Sequence, residues 1–355
     1  MAIAMRSTKQ VEPHEDYGFF GPDSITWRVW SYPTSLTVGF QRAVVIEELD
    51  PALVAAVATT NDIRYRPRTR YDRTLRYFAM VAFGDSRSTS QAADVLVKIH
   101  SKAIGIDAVT GERYDANDPE SQLWIQLTGW HSILKAYEMY GPGKLSAEEE
   151  EQYWAECAVA AELQTCDPAD IPRSREELHA YYERMRPQLL GSPIAREMMA
   201  HLLDASVMLP PMPRALRPAT WLTSRVLRAA TVATMPRWMR EMGGLRQSRA
   251  VDVAVVPVMR LAFALVHVNA RVELAVLRHL SPATAPVVAP IRLGIAPTNP
   301  EVLTPAEARE RYGFDHPREA HLDLRARQER RVFGNAEAPS EEGLLESQGV
   351  LGSIG

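Results

Sequence analysis

The chain has 355 residues, of which 46% are hydrophobic and 24% are charged, a balance typical of a soluble globular protein. Its formal net charge of −4 argues against a nucleic-acid-binding surface, so no nucleic-acid partner is expected. Two cysteines are too few for a disulfide framework and lack metal-ligand spacing. Together with a polar N-terminal stretch that lacks the apolar core of a signal peptide, they favour reduced thiols and a cytoplasmic protein.

Apolar residues recur at every third and fourth position along most of the chain, which is the period of amphipathic helices. The sequence therefore predicts an all-α fold, with a single large, multi-helix, bundle-like domain of buried apolar helices over residues 19–330. A flexible N-terminal arm is expected at 1–18 and a disordered C-terminal tail at 331–355. Helices are predicted at 50–61, 70–84, 88–105, 118–141, 146–164, 174–186, 191–206, 218–231, 252–280 and 304–312.

Several predicted helices begin with the spacing of a capping box, in which the first and fourth residues bond to each other's backbone N–H. The pairs are Ser146 with Glu149, Ser174 with Glu177, and Thr304 with Glu307.

The longest apolar run extends from Val251 to Leu277 and contains Arg260 and His267. A charge near the centre of a bilayer is costly, so the run predicts a buried core helix rather than a membrane span. Between 214 and 242, arginines are mixed with apolar residues. This mixture leaves peripheral membrane contact open.

Three histidines, His100, His131 and His267, lie on apolar helix faces, while the common hydrolase, kinase and dinucleotide-binding motifs are missing from the sequence. Burial keeps an imidazole neutral, as a haem or metal ligand must be. A single buried histidine more often fills space and makes one hydrogen bond, so this role stands beside ligation for each of the three. The aspartates closest to His100 have no metal-ligand spacing and do not support a non-haem iron site.

Arginines are concentrated in the segment "IRYRPRTRYDRTLRY", from Ile63 to Tyr77. Such a cluster can hold a carboxylate or phosphate through bidentate contacts. It is equally typical of a solvated helix entrance with pairs such as Asp72 and Arg76 at i,i+4.

A family resemblance emerges from the order of several segments rather than from one strong motif. They are "GPDSITWRVW", "GFQRAVVIEELDPALVAAV", "RPRTRYDRTLRYFAMVAFGD", "VLVKIHSKAIG", "GERYDANDPESQLWIQLTGWHSILKAYE", "LSAEEEEQYWAE" and "LPPMPRALRP". Over roughly residues 20 to 250, this set resembles the mpaB-type oxygenase and rubber oxygenase (latex clearing protein) family. The resemblance implies an all-helical fold and a b-type haem that activates dioxygen to cleave an isoprenoid carbon–carbon double bond.

The resemblance also assigns expected site residues. In "KIHSKAIG", His100 matches the family's histidine, and Lys98 stands where arginine is usual. In the "R-x-x-R-T" element, Arg70, Arg73 and Thr74 match. These matches make His100 the expected iron ligand and the arginines the expected anchors for haem propionates or a polar head group.

The departure from the family lies in the helix that follows the intact "YDANDP" loop. Gln126 stands where the family's "WVHAT" offers a histidine, and Thr128 matches its threonine. Glutamine is a poor iron ligand. His131 lies five residues further on, about 140° round the helix, so it can compensate only with a different haem pose and is expected to be a packed core residue.

Two functions follow as expectations. The first is a haem-dependent oxygenase that acts with dioxygen on an apolar, lipid- or isoprenoid-like substrate. The second, which Gln126 favours, is a haem-free helical protein that binds a lipid or a partner. A non-haem iron enzyme is a third, weaker alternative, and the substrate, redox partner and oligomeric state stay open.

Overall fold

The computed structural model describes residues 11–60, 67–208 and 213–341. Helices make up 66% of these described residues, which confirms the all-α prediction. They are α1 (Ile25–Trp30), α2 (Phe40–Glu47), α3 (Pro51–Thr60), α4 (Pro67–Phe83), α5 (Ser86–His100), α6 (Pro119–Tyr140), α7 (Ala147–Ala161), α8 (Arg175–Met185), α9 (Pro193–Leu202), α10 (Ala205–Met208), α11 (Arg217–Thr234), α12 (Arg237–Met242), α13 (Arg249–His267), α14 (Ala270–Leu280), α15 (Ala285–Arg292), α16 (Pro305–Tyr312) and α17 (Leu322–Glu329). Short 3₁₀ turns lie at Pro168–Asp170 and Arg214–Leu216, and π-helical turns at Ser35–Gly39 and Arg330–Gly334.

Helix α6 lies at the centre of the fold and packs against α1, α2, α7, α11 and α13. It starts where the Asp118 side chain accepts a hydrogen bond from the N–H of Ser121, with Pro119 in the first turn. Trp124, Trp130 and Leu127 on this helix are fully buried. Their burial removes large apolar areas from water and makes α6 the main support of the core.

Two glycines permit close packing around α6. A Cβ at Gly39 would lie 3.0 Å from the Cα of Ile133, so the chain before α2 passes directly against α6. A Cβ at Gly129 would lie 2.9 Å from Cε1 of Phe78, whose ring stacks on Trp30. The crossing of α4 over α6 therefore needs glycine at position 129.

Gly129→Val should lower the free energy of unfolding by about 1–3 kcal/mol, because the added methyl groups overpack the contact with Phe78. Denaturant unfolding would measure this loss. Gly334→Val is the matched control, since a Cβ there meets nothing within 4 Å. Equal effects of the two substitutions would contradict the crowded contact.

The helix predicted at 88–105 ends earlier, at His100, and its last residues belong to an antiparallel hairpin. Strand β1 (Ile104–Ile106) pairs with β2 (Arg113–Asp115), with Gly105 opposite Tyr114. The turn is held by the Asp107 carboxylate, which accepts from the N–H groups of Val109 and Thr110. These local side-chain bonds compete with the helix, which explains the early end.

The prediction of a buried core helix at 252–280 was wrong. The segment forms two helices, α13 and α14, because the Asn269 side chain accepts from the N–H groups of Arg271 and Val272 and starts a new helix. Within the described residues, α13 alone is long and apolar enough to cross a membrane by length and composition, yet only 17% of its apolar window is buried.

Other helix boundaries agree with the predictions to within a few residues, and the capping boxes at Ser146 and Thr304 are present. Ser174 also caps its helix, but Glu177 accepts from the N–H of Arg173 instead of completing the box. The sequence-based prediction missed α1, α2, α12, α15 and α17. All five are at most eight residues long, so few apolar repeats mark them.

Each chain end has described residues that are hydrogen-bonded to the helical domain. Within the arm predicted at 1–18, the Asp16 carboxylate accepts from the N–H groups of Gly18 and Ser86, which ties residues 11–18 to α5. Within the tail predicted at 331–355, the Ser340 N–H donates to the side chain of Gln328 at 2.9 Å. Residues 1–10 and 342–355 lie outside the described residues.

Candidate functional site

His100 is the last residue of α5, and the hairpin brings the start of α6 beside it. The amide Nδ2 of Asn117 donates to the carbonyl of Val97 at 3.0 Å and fixes the two helix ends together. Gln122 Nε2 donates to the carbonyl of Ala116 at 2.6 Å and lies 3.4 Å from Nδ1 of His100. The imidazole is thereby held in place from one side.

Burial, and then the charge of Arg70, lower the pKa of His100 to about 4. The ring is therefore neutral at ordinary pH, the state that iron ligation requires. When Nδ1 accepts from Gln122, the proton is on Nε2; the other tautomer has a free Nε2 lone pair.

The charge of Arg70 on α4 acts both on this histidine and on Glu48, which follows the end of α2. Burial raises the pKa of Glu48 to about 7, although the nearby Arg70 charge lowers it. The Oε2 atom of Glu48 is buried and receives no hydrogen bond from the residues that the structure describes. Glu48, Arg70, His100 and Gln122 are named the His100 cluster below.

Glu47 forms a second buried carboxyl beside the cluster. Burial, and then the neighbouring Glu48, raise its pKa to about 8, while a hydrogen bond from Thr128 Oγ1 at 3.3 Å opposes the shift. Thr128, a predicted site residue, thus contacts the acid next to the cluster. Its hydroxyl also lies 2.7 Å from the carbonyl of Trp124, in its own helix.

The side chain of the predicted site residue Gln126 is hydrogen-bonded to other parts of the protein. Its Nε2 donates to the carbonyl of Cys157 at 3.0 Å, and its Oε1 accepts from Gln164 Nε2 at 2.6 Å. Both ends of this fully buried amide are used, so Gln126 links α6 to α7 and to the chain after α7.

His131 lies elsewhere on α6, with its Nδ1 2.9 Å from the hydroxyl of Tyr182. Burial, followed by the charge of Arg42, lowers its pKa well below the usual value. Arg42 is itself buried and donates to Ser132 at 2.6 Å. This environment is a packed polar contact in the core, as the sequence led us to expect.

The remaining predicted residues share the helices of the cluster. Thr74 lies one turn after Arg70, to whose carbonyl its hydroxyl donates at 3.0 Å. Arg73 on α4 and Lys98 on α5 are half-buried. Arg64 and Arg66 of the arginine segment fall outside the described residues.

Sequence reasoning missed Glu47, Glu48 and Gln122. The signal was present in "AVVIEELDP", where two acidic residues directly follow an apolar run. An acid in such a position is either at a helix end in water or buried at a site, and only the tertiary contacts distinguish the two.

No group of three His, Cys, Asp or Glu side chains within residues 11–60, 67–208 and 213–341 is arranged to hold a metal ion. The non-haem iron alternative therefore gains no support from the described site. A haem needs only one protein ligand to its iron, and the neutral His100, with a charged guanidinium close by, fits that need.

Comparison with known proteins gives the family. Searches of curated proteins and of solved structures found no match. The family described as "ER-bound oxygenase mpaB/B'/Rubber oxygenase, catalytic domain" matches residues 27–268, which is well over half of the 355-residue chain and includes the whole His100 cluster. The protein therefore belongs to the mpaB and rubber oxygenase catalytic-domain family and has an oxygenase-type catalytic domain.

Proposed function

We propose that the protein is a haem b-dependent oxygenase that acts with dioxygen on an apolar, lipid- or isoprenoid-like substrate. The observation that carries the proposal is His100, a neutral imidazole in the family's histidine position with Arg70 and a buried carboxyl beside it. The proposal includes a cytoplasmic protein in peripheral contact with a membrane, since an apolar substrate partitions into lipid.

His100 would hold the iron through Nε2, which requires the proton on Nδ1. The Gln122 amide would then turn its Oε1 toward this proton and give up the hydrogen bond from its Nε2 to the carbonyl of Ala116. When bound, haem would supply the activation of dioxygen for oxidative cleavage of a carbon–carbon double bond. A hydrogen bond from Nδ1–H of His100 to the Gln122 amide oxygen would orient the ligating imidazole and raise its basicity.

The other residues of the cluster supply charge and a proton. Arg70 would pair with a carboxylate, either a propionate or the polar end of a substrate. Glu48, with a pKa of about 7, exchanges a proton near neutral pH, as a general acid or base must. Its unbonded Oε2 leaves one acceptor position for a bound group. Lys98, Arg73 and Thr74, on the same two helices, are the other residues of the proposed haem site.

A second function is favoured by the hydrogen bonds of Gln126. This side chain occupies the family's second histidine position, and both ends of its amide bond to the protein. A chain that had lost its cofactor would be a haem-free helical protein that binds a lipid or a partner.

The absorption spectrum of the protein, purified after expression with a haem precursor, distinguishes the two functions. We expect a Soret band and a positive pyridine haemochrome assay, both lost in His100→Ala. His131→Ala is the control and should keep the band, because its imidazole is bonded to Tyr182. Circular dichroism confirms that each variant is folded. Folded wild-type protein without a haem signal would refute haem dependence and favour the binding protein.

A further inference from the structure

The exposed side of α13 is unusually apolar. This helix buries only Val255, Met259 and Phe263, a single stripe at four-residue spacing. Of the residues on its other sides, Leu261 is 63% exposed, Leu265 67% exposed, and Val268 just after the helix 85% exposed. Val251, Val253 and Val258 are exposed as well.

Neighbouring helices extend this surface. Helix α11 packs against α13 and exposes Trp221 and Leu222, and α14 exposes Val272 and Val276. The exposed apolar residues of α11, α13 and α14 are named the apolar face below. Contiguous apolar surface of this kind marks an interaction site in a soluble domain.

The apolar face lies in a basic part of the chain. Between 213 and 280 there are eleven arginines and three acidic residues, although the whole chain has a net charge of −4. All three acids are already in ion pairs: Glu241 with Arg237, Asp252 with Arg240, and Glu273 with Arg292. The exposed arginines Arg217, Arg249, Arg271 and Arg278 therefore give the surroundings of the apolar face an uncompensated positive charge.

The positive charge around the apolar face favours a lipid bilayer over a second copy of the chain as its binding partner. A symmetric second copy would bring the same arginines against each other, and like charges at an interface cost affinity. A bilayer with anionic lipids instead accepts the valines and leucines and attracts the arginines. The interior of such a bilayer complements the apolar residues of the face, and its negative surface complements the arginines around it.

The contacts of α13 with the rest of the protein also indicate its orientation relative to the bilayer. The guanidinium of Arg260 donates through Nε to the carbonyl of Met139 at 3.0 Å, and Phe263 packs near Tyr140. At the other end, Arg240 pairs with Asp252 at 2.8 Å. Crossing the membrane would break all of these contacts, so α13 must lie in the plane of the interface.

We propose that the apolar face binds the surface of membranes that contain anionic lipids, with α13 lying in the headgroup region. This inference deepens the membrane contact within the proposed function. It names the lipid class and the docking helices, and it does not depend on haem.

Flotation with phosphatidylcholine vesicles, with and without phosphatidylglycerol, tests the proposal on the full chain. We expect binding to the anionic vesicles that weakens with added salt and is much lower on pure phosphatidylcholine. The triple variant Leu261→Ser, Leu265→Ser, Val268→Ser should bind about tenfold more weakly or worse. Its substituted residues are exposed, so the fold should survive.

Val302→Ser with Leu322→Ser is the matched control, because both residues are about half exposed and lie outside the apolar face. This control should bind as the wild type does. Wild-type binding by the triple variant, or no binding of the wild type to anionic vesicles, would overturn the proposal. So would a dimer that only the triple variant loses, without vesicle binding, because it would assign the face to a second copy.

Fluorescence locates the contact independently. Trp221 is 59% exposed, whereas five of the other tryptophans are buried: Trp27, Trp30, Trp124, Trp130 and Trp154. Anionic vesicles should shift the emission to shorter wavelength, and Trp221→Phe should abolish most of the shift. A shift unchanged in this variant would place the membrane contact elsewhere and overturn the assignment. The haem spectrum is measured separately, so failure of either proposal is recognised without the other.

Discussion

Replacing Glu47 with glutamine should make the protein increasingly more stable than the wild type as the pH rises from about 5 to about 9. Burial raises the pKa of Glu47 to about 8 from an ordinary value of 4.5, so the folded protein retains a proton that the unfolded chain loses. The stability from this group is complete below pH 4.5 and is lost as the pH rises through 8. Glutamine resembles the protonated acid and does not titrate.

The difference in the free energy of unfolding between Glu47→Gln and the wild type should therefore grow by roughly 4 kcal/mol across this range. Denaturant titrations at several pH values measure it. The lowered pKa values of His100 and His131 affect both proteins alike and cancel in the difference. Glu151→Gln is the control, because it makes the same substitution at an exposed position. A gap that stays constant with pH would contradict a buried, protonated Glu47.

Asp72→Ala should lower the free energy of unfolding by about 2–4 kcal/mol. The Asp72 carboxylate is buried and accepts from the N–H of Ala283 at 3.0 Å, from the N–H of Thr284 at 3.3 Å and from its hydroxyl at 2.9 Å. It therefore caps the start of α15 from a distant part of the sequence. Its removal leaves buried N–H groups without a partner.

Asp72→Asn retains one acceptor oxygen and should lose only part of this stability. Asp323→Ala is a matched control, because Asp323 is an exposed acid in the first turn of α17. Denaturant midpoints compare the three variants, with loss of stability largest for Asp72→Ala. Equal losses for Asp72→Ala and Asp323→Ala would contradict the capping role. The same bonds hold α4, and so the backbone that carries Arg70, against α15.

The sequence correctly predicted the long helices because their signals are local. Helix α6 was predicted at 118–141 and extends from Pro119 to Tyr140, with Asp118 and Pro119 marking its start. Asp72 shows the limit of local reasoning. Its spacing suggested an i,i+4 pair with Arg76, and its charge does act on Arg76, but its carboxylate also caps α15 some 211 residues away, which no local pattern indicates.

The candidate site was predictable only in part. The family resemblance located His100, Arg70, Arg73 and Thr74, and the family match over residues 27–268 confirms the resemblance itself. Glu47 and Glu48 were missed, because acids at a helix end are usually solvated and their burial depends on α4 and α6. The internal hydrogen bonds of Gln126 come from Cys157 and Gln164, which no local pattern connects to it.

By itself, the sequence determined the helical character of the chain, most of its long helices and its family. Periodicity, capping residues and the order of segments can all be read without the tertiary structure. Only the tertiary structure decided which faces are covered. Helix α13 is apolar enough for a core, yet it packs through one stripe and leaves the rest exposed. The apolar residues along a chain determine how much surface is stabilised by burial. The packing of helices that are distant in sequence determines which part of that surface is buried.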